Sequence, residues 1–438
     1  MNIKEKYTLA EEVIDHALKS GAGQASVAID EGINNEIEIR DQKIDRLIQS
    51  NRNALTIKLY VDKKYSSNST SRLKKDELFR FVDEAIASTR YLAEDQFRSL
   101  PDQALYYKGG GPDLNICDTE LGTIDTQAKI ELATSVLNEA YNKDERIITV
   151  SSVYSDNISY RVLVSSNGFK GDSARSNTNL SASVSVRTDK GRPSDYWEEN
   201  ALFYDRLKKT GIGTKALERT LKKIAPQKIQ SGRYPMIIEN RAAPNLLYPL
   251  FNALQGNSLY QKQSFLIGKK DKAIASKVMS VADDPLIPSG AGSRLFDGEG
   301  LAAVRRPLVE DGVLRNYLID TYYGKKLGMD PTSGGSSNVV FRLGTRNMEG
   351  MINLLKKGIV VTGFNGGNCN GSTGDFSYGI EGYLVENGAI VHPVNEMNIT
   401  GNMNRIFFNL VETGNDIIEG SSELVPSLMF EEVDFSGI

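Results

Sequence analysis

Two tight turns in the last third of the chain constrain its fold most strongly. Asp311-Gly312 lies between the apolar runs 303–309 and 314–319, and Asn387-Gly388 lies between two further apolar runs. These dipeptides adopt positive φ at little cost, and such a pair between apolar runs is typical of a two-residue β-hairpin. We therefore predict a β-rich, barrel- or sandwich-like C-terminal domain over residues 229–438.

The rest of the chain shows one layout twice. Residues 1–112 and residues 113–228 each read as a helix, several strands and a closing helix, and the segment Gly109–Pro112 is a break between them. We predict an α+β fold with three units. The repeated layout indicates either a structural duplication or the ordinary similarity of two α+β units, and the sequence leaves both interpretations open.

Hydrophobic periodicity predicts the individual helices and strands. Beyond a first helix around Leu9–Leu18, the predicted helices cover residues 75–92, 126–141, 214–224, 243–254, 320–327 and 402–411. The predicted strands in the first two units cover residues 26–29, 36–39, 44–48, 54–61, 147–154, 159–165, 180–186 and 197–204. Residues 66–71 are polar and are predicted to form a loop.

Charge and composition exclude several classes of protein. The 438 residues carry a formal charge of −4, which argues against a protein that binds duplex DNA through a basic surface. The first residues alternate in charge without an apolar segment, and no apolar run is long enough to cross a bilayer. With only two cysteines, the chain is expected to be a cytoplasmic protein without disulfides or membrane spans.

The chain contains few residues that could bind a transition metal. The chain has two histidines, His16 and His392, and two cysteines. Zinc sites are usually built from imidazole and thiolate ligands, and a His-Glu-x-x-His helix is absent. We therefore predict no metal ligand, no catalytic metal residue and no cofactor.

A nucleophilic or carboxylate site has weak support. Cys369 lies in the loop sequence Gly366-Gly367-Asn368-Cys369-Asn370-Gly371, but no base or cation stands near it in sequence to form a thiolate. The local acid pairs Asp283-Asp284, Asp297/Glu299 and Glu310-Asp311 each adjoin Gly or Pro, so turn formation explains them well. A metal-independent hydrolase that uses Cys369 or carboxylates stays an alternative hypothesis.

Two long neutral stretches are the strongest binding candidates. Residues 242–261 and 358–374 contain no charge and are rich in asparagine and glycine. Neutral amides on exposed backbone suit an extended peptide that docks by main-chain hydrogen bonds, although both stretches also fit partly buried scaffold. The residues predicted to line such a peptide cavity are Asn245, Asn252, Asn365, Asn368, Cys369 and Ser372.

Several motifs of the C-terminal third occur in a fixed order. They are Phe296-Asp297-Gly298-Glu299-Gly300, Arg305–Leu314, Tyr322–Gly328, Gly371–Gly379, Val385–Gly388, Ile399–Asn402 and Gly414–Asp416. In this order they resemble the TldD/PmbA family, which has also been called modulator of DNA gyrase. The resemblance is strong from residue 229 onward and weaker before it.

The resemblance implies a cytosolic dimer with an internal cavity for unfolded peptides. In the TldD-like branch, a His-Glu-x-x-x-His helix binds zinc and the protein cleaves peptides. That helix would fall near Leu246–Leu254, where this chain has no His, Glu or Cys. The chain is therefore expected to resemble the PmbA or TldE branch, which lacks the ligands and pairs with a TldD-like partner.

These considerations lead to one hypothesis and two alternatives. The chain is predicted to be a non-catalytic subunit of a peptide-processing system, as a homodimer or with a TldD-like zinc-binding paralogue. The alternatives are the metal-independent hydrolase and a regulatory protein that acts on DNA gyrase or its inhibitors. No direct contact with nucleic acid and none with a membrane are expected.

Overall fold

A computed structural model describes residues 1–189 and 191–438. The N-terminal half consists of two consecutive helix–three-strand–helix units. The first contains α1 (Ile3–Lys19), β1 (Gln24–Arg40), β2 (Lys43–Val61), β3 (Lys64–Thr70) and α2 (Lys75–Thr89). The second contains α3 (Thr126–Asn138), β4 (Ile147–Ser165), β5 (Lys170–Val186), β6 (Ser194–Ala201) and α4 (Ile212–Lys222).

The six strands of these units form one antiparallel sheet. Its order is β3-β2-β1-β4-β5-β6, so the two units join through the pairing of β1 with β4. Residues 25, 27 and 29 of β1 pack against α1 and α2, and Ile37 and Ile39 of the same strand pack in the core of α3 and α4. Because side chains alternate along a strand, all four helices cover one face. This arrangement repeats the predicted layout, within a single continuous sheet.

The C-terminal part is rich in short strands. It contains β7 (Gly232–Ile238), α5 (Ala243–Ala253), α6 (Gly256–Tyr260), β8 (Val281–Asp283), β9 (Arg306–Glu310), β10 (Val313–Leu314), α7 (Thr321–Leu327), β11 (Val339–Phe341) and α8 (Met348–Ile352). There follow β12 (Lys357–Cys369), β13 (Asp375–Glu386), β14 (Ala389–Asn402), α9 (Met403–Ile406), β15 (Leu410–Thr413), β16 (Glu423–Leu424) and β17 (Leu428–Ser436).

Five of these strands close into a barrel. The order β14-β13-β12-β7-β17 returns to β14 because Asn398–Thr400 pair with Asp434–Ser436, and β15 flanks β17. A second sheet has the order β10-β9-β8-β11-β16. The predicted α+β class with a β-rich, barrel-like C-terminal domain is confirmed.

Both predicted two-residue turns are present. Asp311 and Gly312 have φ of 47° and 78° between β9 and β10, and Asn387 and Gly388 have φ of 50° and 77° between β13 and β14. Positive φ at both central positions is the geometry that hairpins favour because it matches the twist of the strands.

Several predicted element bounds were wrong. The runs 26–29 and 36–39 belong to one strand, as do 44–48 with 54–61 and 147–154 with 159–165. Main-chain pairing continues through the polar residues between the runs, because a ladder of backbone hydrogen bonds needs no apolar side chains. The predicted strand 197–204 lies earlier, as β6.

Two further elements differ in kind. Residues 66–71, predicted as a loop, fall mainly in β3, an edge strand whose polar side chains stay near solvent. The predicted helix 402–411 is only α9, which a short 3₁₀ turn and the strand β15 follow. Pairing of β15 with β17 prevails there over the local helical spacing. No helix in the described part of the chain is long and apolar enough to cross a membrane.

Candidate functional site

Helix α5 forms one wall of the candidate site. Its apolar residues Ala243, Leu246, Leu247, Leu250 and Ala253 are buried in the core of the C-terminal part. Asn245, Tyr248, Pro249 and Asn252 follow at spacings of three and four residues, so they share the opposite face. This face is open, and Tyr248 is 70% exposed.

Pro249 within α5 changes the backbone of that face. Proline has no N–H, so the carbonyl of Asn245 cannot receive its usual hydrogen bond from the residue four positions later. Two side-chain amides, a tyrosine and this carbonyl oxygen thus mark the exposed side of the helix. None of these groups belongs to an Asp, Glu, Lys, Arg or His side chain.

The face of α5 borders a cavity of about 790 Å³. We call it the amide cavity. The residues that line it are Pro244, Asn245, Tyr248, Pro249, Asn252, Ala253, Ser258, Gln263, Gly367, Asn368, Cys369, Asn370, Gly371, Ser372, Tyr378 and Glu423. The end of β12 and the turn after it therefore form the wall opposite α5.

Hydrogen bonds shape the turn that follows β12. Asn370 Oδ1 accepts from the backbone N–H of Ser372 at 2.9 Å and of Thr373 at 3.2 Å. Ser372 Oγ donates to the carbonyl of Lys262 at 3.1 Å, which ties the turn to the segment after α6. The second neutral stretch is thus held against the residue that directly follows the first.

A bulge displaces the end of β12 from the regular ladder. The register shifts between Phe364 and Gly367, and Gly366 and Gly367 have φ of 92° and 115°. β7 pairs with β12 only at Ile359–Val361. From Gly363 to Cys369, no described strand other than β13 pairs with β12. One backbone edge of this segment is therefore open beside the cavity.

Five of the six predicted lining residues border the amide cavity. They are Asn245, Asn252, Asn368, Cys369 and Ser372. Asn365 is not among the lining residues: it lies in the bulge itself, and its Nδ2 donates to Asn395 Oδ1 at 2.9 Å. The bulge turns the chain between Asn365 and Asn368, which the sequence pattern did not reveal.

Sequence reasoning missed three notable wall residues. Tyr248 shares the open face of α5, and the helical spacing could have identified it. Tyr378 and Glu423 come from β13 and β16 and reach the cavity only through tertiary packing. Glu423 is the only carboxylate among the described lining residues, and partial burial raises its pKa.

The environment of Cys369 does not favour a thiolate. Burial and the nearby Asp375 carboxylate raise the pKa of its thiol, although its contact with Tyr378 acts in the opposite direction. Burial and the thiol in turn raise the pKa of Tyr378 to about 12. A nucleophilic cysteine needs a base or a cation beside it, and no His, Lys or Arg is among the described lining residues of the cavity.

The histidines and acid pairs lie apart from the cavity. His16 Nε2 lies 2.9 Å from Asp83 Oδ1 of α2, and His392 Nδ1 lies 3.0 Å from the carbonyl of Pro393. Asp297 Oδ1 accepts backbone N–H groups of its own turn, and Asp311 pairs with Arg342 at 2.7 Å. Within residues 1–189 and 191–438, no cluster of three His, Cys, Asp or Glu has the geometry of a metal site.

A second large cavity, of about 740 Å³, lies between the N-terminal sheet and the segment 293–296. Several of its charged side chains already have partners. Arg161 pairs with Asp30 at 2.8 Å, and Arg175 donates to the carbonyls of Ala291 and Ser293. The Arg175 contacts connect the N-terminal sheet to the C-terminal part, so we regard this cavity as part of the interface between them and the amide cavity as the candidate site.

Together, these features define a class of protein. A helix-backed six-stranded sheet is joined to a closed five-stranded barrel, and an uncharged helix borders a peptide-sized cavity beside the barrel. The family descriptions "PmbA/TldA metallopeptidase central domain" and "PmbA/TldA metallopeptidase C-terminal domain" match residues 119–224 and 231–437. The chain belongs to the PmbA/TldD metallopeptidase family.

Individual relatives agree with this assignment. The Metalloprotease PmbA homolog of Haemophilus influenzae is 29% identical over 97% of this chain and 94% of its own length. A Bacteroides thetaiotaomicron crystal structure, described as a modulator of DNA gyrase, is 47% identical over the full length of both chains, with a TM-score of 0.98. TldE from Thermococcus kodakarensis shares the fold, with a TM-score of 0.88 at 20% identity over 98% of this chain and 100% of that one.

Proposed function

We propose that this chain is a non-catalytic, PmbA/TldE-like subunit of a cytoplasmic peptide-processing system. In that system it holds unfolded peptide, and a TldD-like zinc-binding paralogue supplies catalysis. The chain forms a heterodimer with that paralogue or a homodimer in its absence. The observation that carries the proposal is the open face of α5, where Asn245, Tyr248, Pro249 and Asn252 stand and no imidazole, thiolate or carboxylate is present.

The chemistry of the amide cavity supports peptide binding. An extended peptide needs partners for its backbone N–H and C=O groups, and side-chain amides supply both donors and acceptors. The open edge of β12 between Gly363 and Cys369 offers main-chain groups for strand addition. Because the walls carry almost no charge, such binding would depend little on the sequence of the peptide.

The first experiment separates a companion subunit from a peptidase. The purified full chain is assayed for zinc by mass spectrometry and for cleavage of an unfolded casein peptide, alone and mixed with the TldD-like paralogue of the same genome. We expect no stoichiometric zinc and no cleavage by the chain alone, and chelator-sensitive cleavage by the mixture. Chelator-sensitive cleavage by the chain alone would refute the proposal.

A matched pair of substitutions tests the cavity. Asn368→Lys introduces a charge into the amide cavity, whereas Asn365→Lys introduces the same charge on the same strand outside it. We expect Asn368→Lys to lower cleavage by the mixture at least about tenfold, because a peptide would have to be bound against a desolvated ammonium group. Equal effects of the two substitutions would contradict peptide binding in this cavity.

A further inference from the structure

A smaller, strongly charged cavity lies on the face of the N-terminal sheet opposite its helices. Its volume is about 290 Å³, and we call it the charged cavity. Lys58 and Tyr60 point into it from β2, while Leu55, Ile57 and Leu59 point to the helices. The opposite wall comes from the segment 294–299 and the start of α7. Two distant parts of the chain therefore enclose it.

The wall from the N-terminal part is cationic. The guanidinium carbon of Arg98 lies 3.4 Å from the ring centroid of Tyr322 and 4.4 Å from that of Tyr65. Neither the Arg98 nor the Lys58 side chain has an ion pair or hydrogen bond within the described residues. A guanidinium stacked between rings keeps its N–H edge available for a carboxylate. These two cations thus have unused binding capacity.

The wall from the C-terminal part holds three carboxylates and one cation, Arg294, whose Nη2 donates to Ser333 Oγ and to the carbonyl of Gly335. Asp297 Oδ1 and Asp320 Oδ1 accept backbone N–H groups of Leu301 and Tyr323, so these carboxylates help to hold their own turns. Glu299 differs, because its carboxylate contacts only Thr321, whose N–H donates to Oε2 at 2.9 Å and whose hydroxyl also interacts with it, and no Lys or Arg of the described residues forms an ion pair with it. Burial raises the pKa of this carboxyl, as expected for a carboxylate without a counter-ion.

The opposite charges share the cavity without touching. No Lys or Arg nitrogen of the described residues lies within 4.0 Å of the carboxylates of Asp297, Glu299 or Asp320. Charges that were needed only for stability would gain most by pairing directly, since an unpaired charge in a partly buried site is costly. The separation suits a ligand that carries both charges itself.

We propose that the charged cavity binds a free α-amino acid or a dipeptide, whose carboxylate contacts Arg98 and Lys58 and whose ammonium group contacts Glu299. The volume lies at the lower end of the range of small-molecule sites, which suits one or two residues and is too small for a long extended peptide. The site stands independently of the amide cavity and of any catalytic partner.

Calorimetric titration of the purified full chain tests the proposal. The probes are the twenty amino acids and the dipeptide Gly-Leu, followed by the N-acetyl, amide and doubly blocked forms of the best binder. We expect saturable binding of a zwitterion, at least tenfold weaker binding when one charge is blocked, and none when both are blocked. Absence of binding by every zwitterion, or equal binding of the doubly blocked form, would overturn the proposal.

Substitutions locate the binding. Arg98→Met, Lys58→Met and Glu299→Gln should each weaken zwitterion binding at least tenfold, whereas Asn252→Ala in the amide cavity should leave it unchanged. Glutamine can still accept the Thr321 N–H, so Glu299→Gln keeps the local fold. Unchanged binding by all three folded charge variants would place the ligand elsewhere and refute the assignment. Loss of peptide processing with intact zwitterion binding would refute only the proposed function.

Discussion

Glu239 joins the N-terminal sheet to the barrel, and its replacement by glutamine should loosen that joint. The carboxylate is buried, with 6% of the residue exposed. It accepts two hydrogen bonds from Arg219 of α4, at 2.6 Å from Nη1 and 2.9 Å from Nη2. Glu239 directly follows β7, so this bidentate pair links the two parts of the molecule.

The expected loss of stability depends on the contacts that Arg219 retains after the substitution. Removing one partner of a buried ion pair typically costs about 3–5 kcal/mol because the other charge is left uncompensated. Arg219 Nε still lies 3.1 Å from Asp195 Oδ2 after the substitution. We therefore expect Glu239→Gln to lower the free energy of unfolding by about 3 kcal/mol, at the low end of that range.

The assay uses a probe that the chain already contains. Trp197 is the only tryptophan, and its ring lies 3.6 Å from the guanidinium carbon of Arg241 and 5.6 Å from that of Arg219. Urea unfolding followed by its fluorescence therefore reports on this joint. The control is Glu386→Gln in the exposed pair with Lys357, which should cost no more than about 1 kcal/mol.

A double-mutant cycle with Arg219→Met decides the physical cause. If the pair is the source of the effect, the double variant should be more stable than the sum of the two single effects predicts, by at least about 1 kcal/mol. Additivity within about 0.5 kcal/mol would refute the reasoning. A cost of Glu239→Gln equal to that of the exposed control would also refute it.

Three further outcomes are expected. Gly367→Ala should cost about 2–4 kcal/mol in urea unfolding, because its Cβ would lie 2.2 Å from the carbonyl of Ser377; Gly366→Ala, with open space around it, should cost less. Glu299→Gln should raise the thermal midpoint at pH 7, and this gain should disappear as the pH falls toward 4.5. Because the pKa of Glu299 is raised in the folded state, the folded protein with glutamate binds more protons than the unfolded one and loses stability as the pH rises. Glutamine removes this loss. Cys369 should react with iodoacetamide at pH 8 more slowly than free cysteine does; equal rates would contradict its raised pKa.

Local sequence patterns determined much of the fold. The Asp-Gly and Asn-Gly turns, the apolar stripe of α5 and the repeated helix–strand–helix layout depend on residues close in sequence, so they could be recognised without a structure. The scarcity of imidazole and thiolate groups is likewise a property of composition. The neutral character of α5 and of the end of β12 was visible for the same reason.

Tertiary packing decided the rest. The barrel closes through the pairing of β14 with β17, and the strands 24–40, 43–61 and 147–165 continue through polar residues because their neighbours supply the hydrogen bonds. Glu423 reaches the amide cavity, and Lys58 and Glu299 line one cavity, only because segments far apart in sequence pack together. Local spacing carries no information about such neighbours, since the free energy that brings them together comes from burial of the whole core.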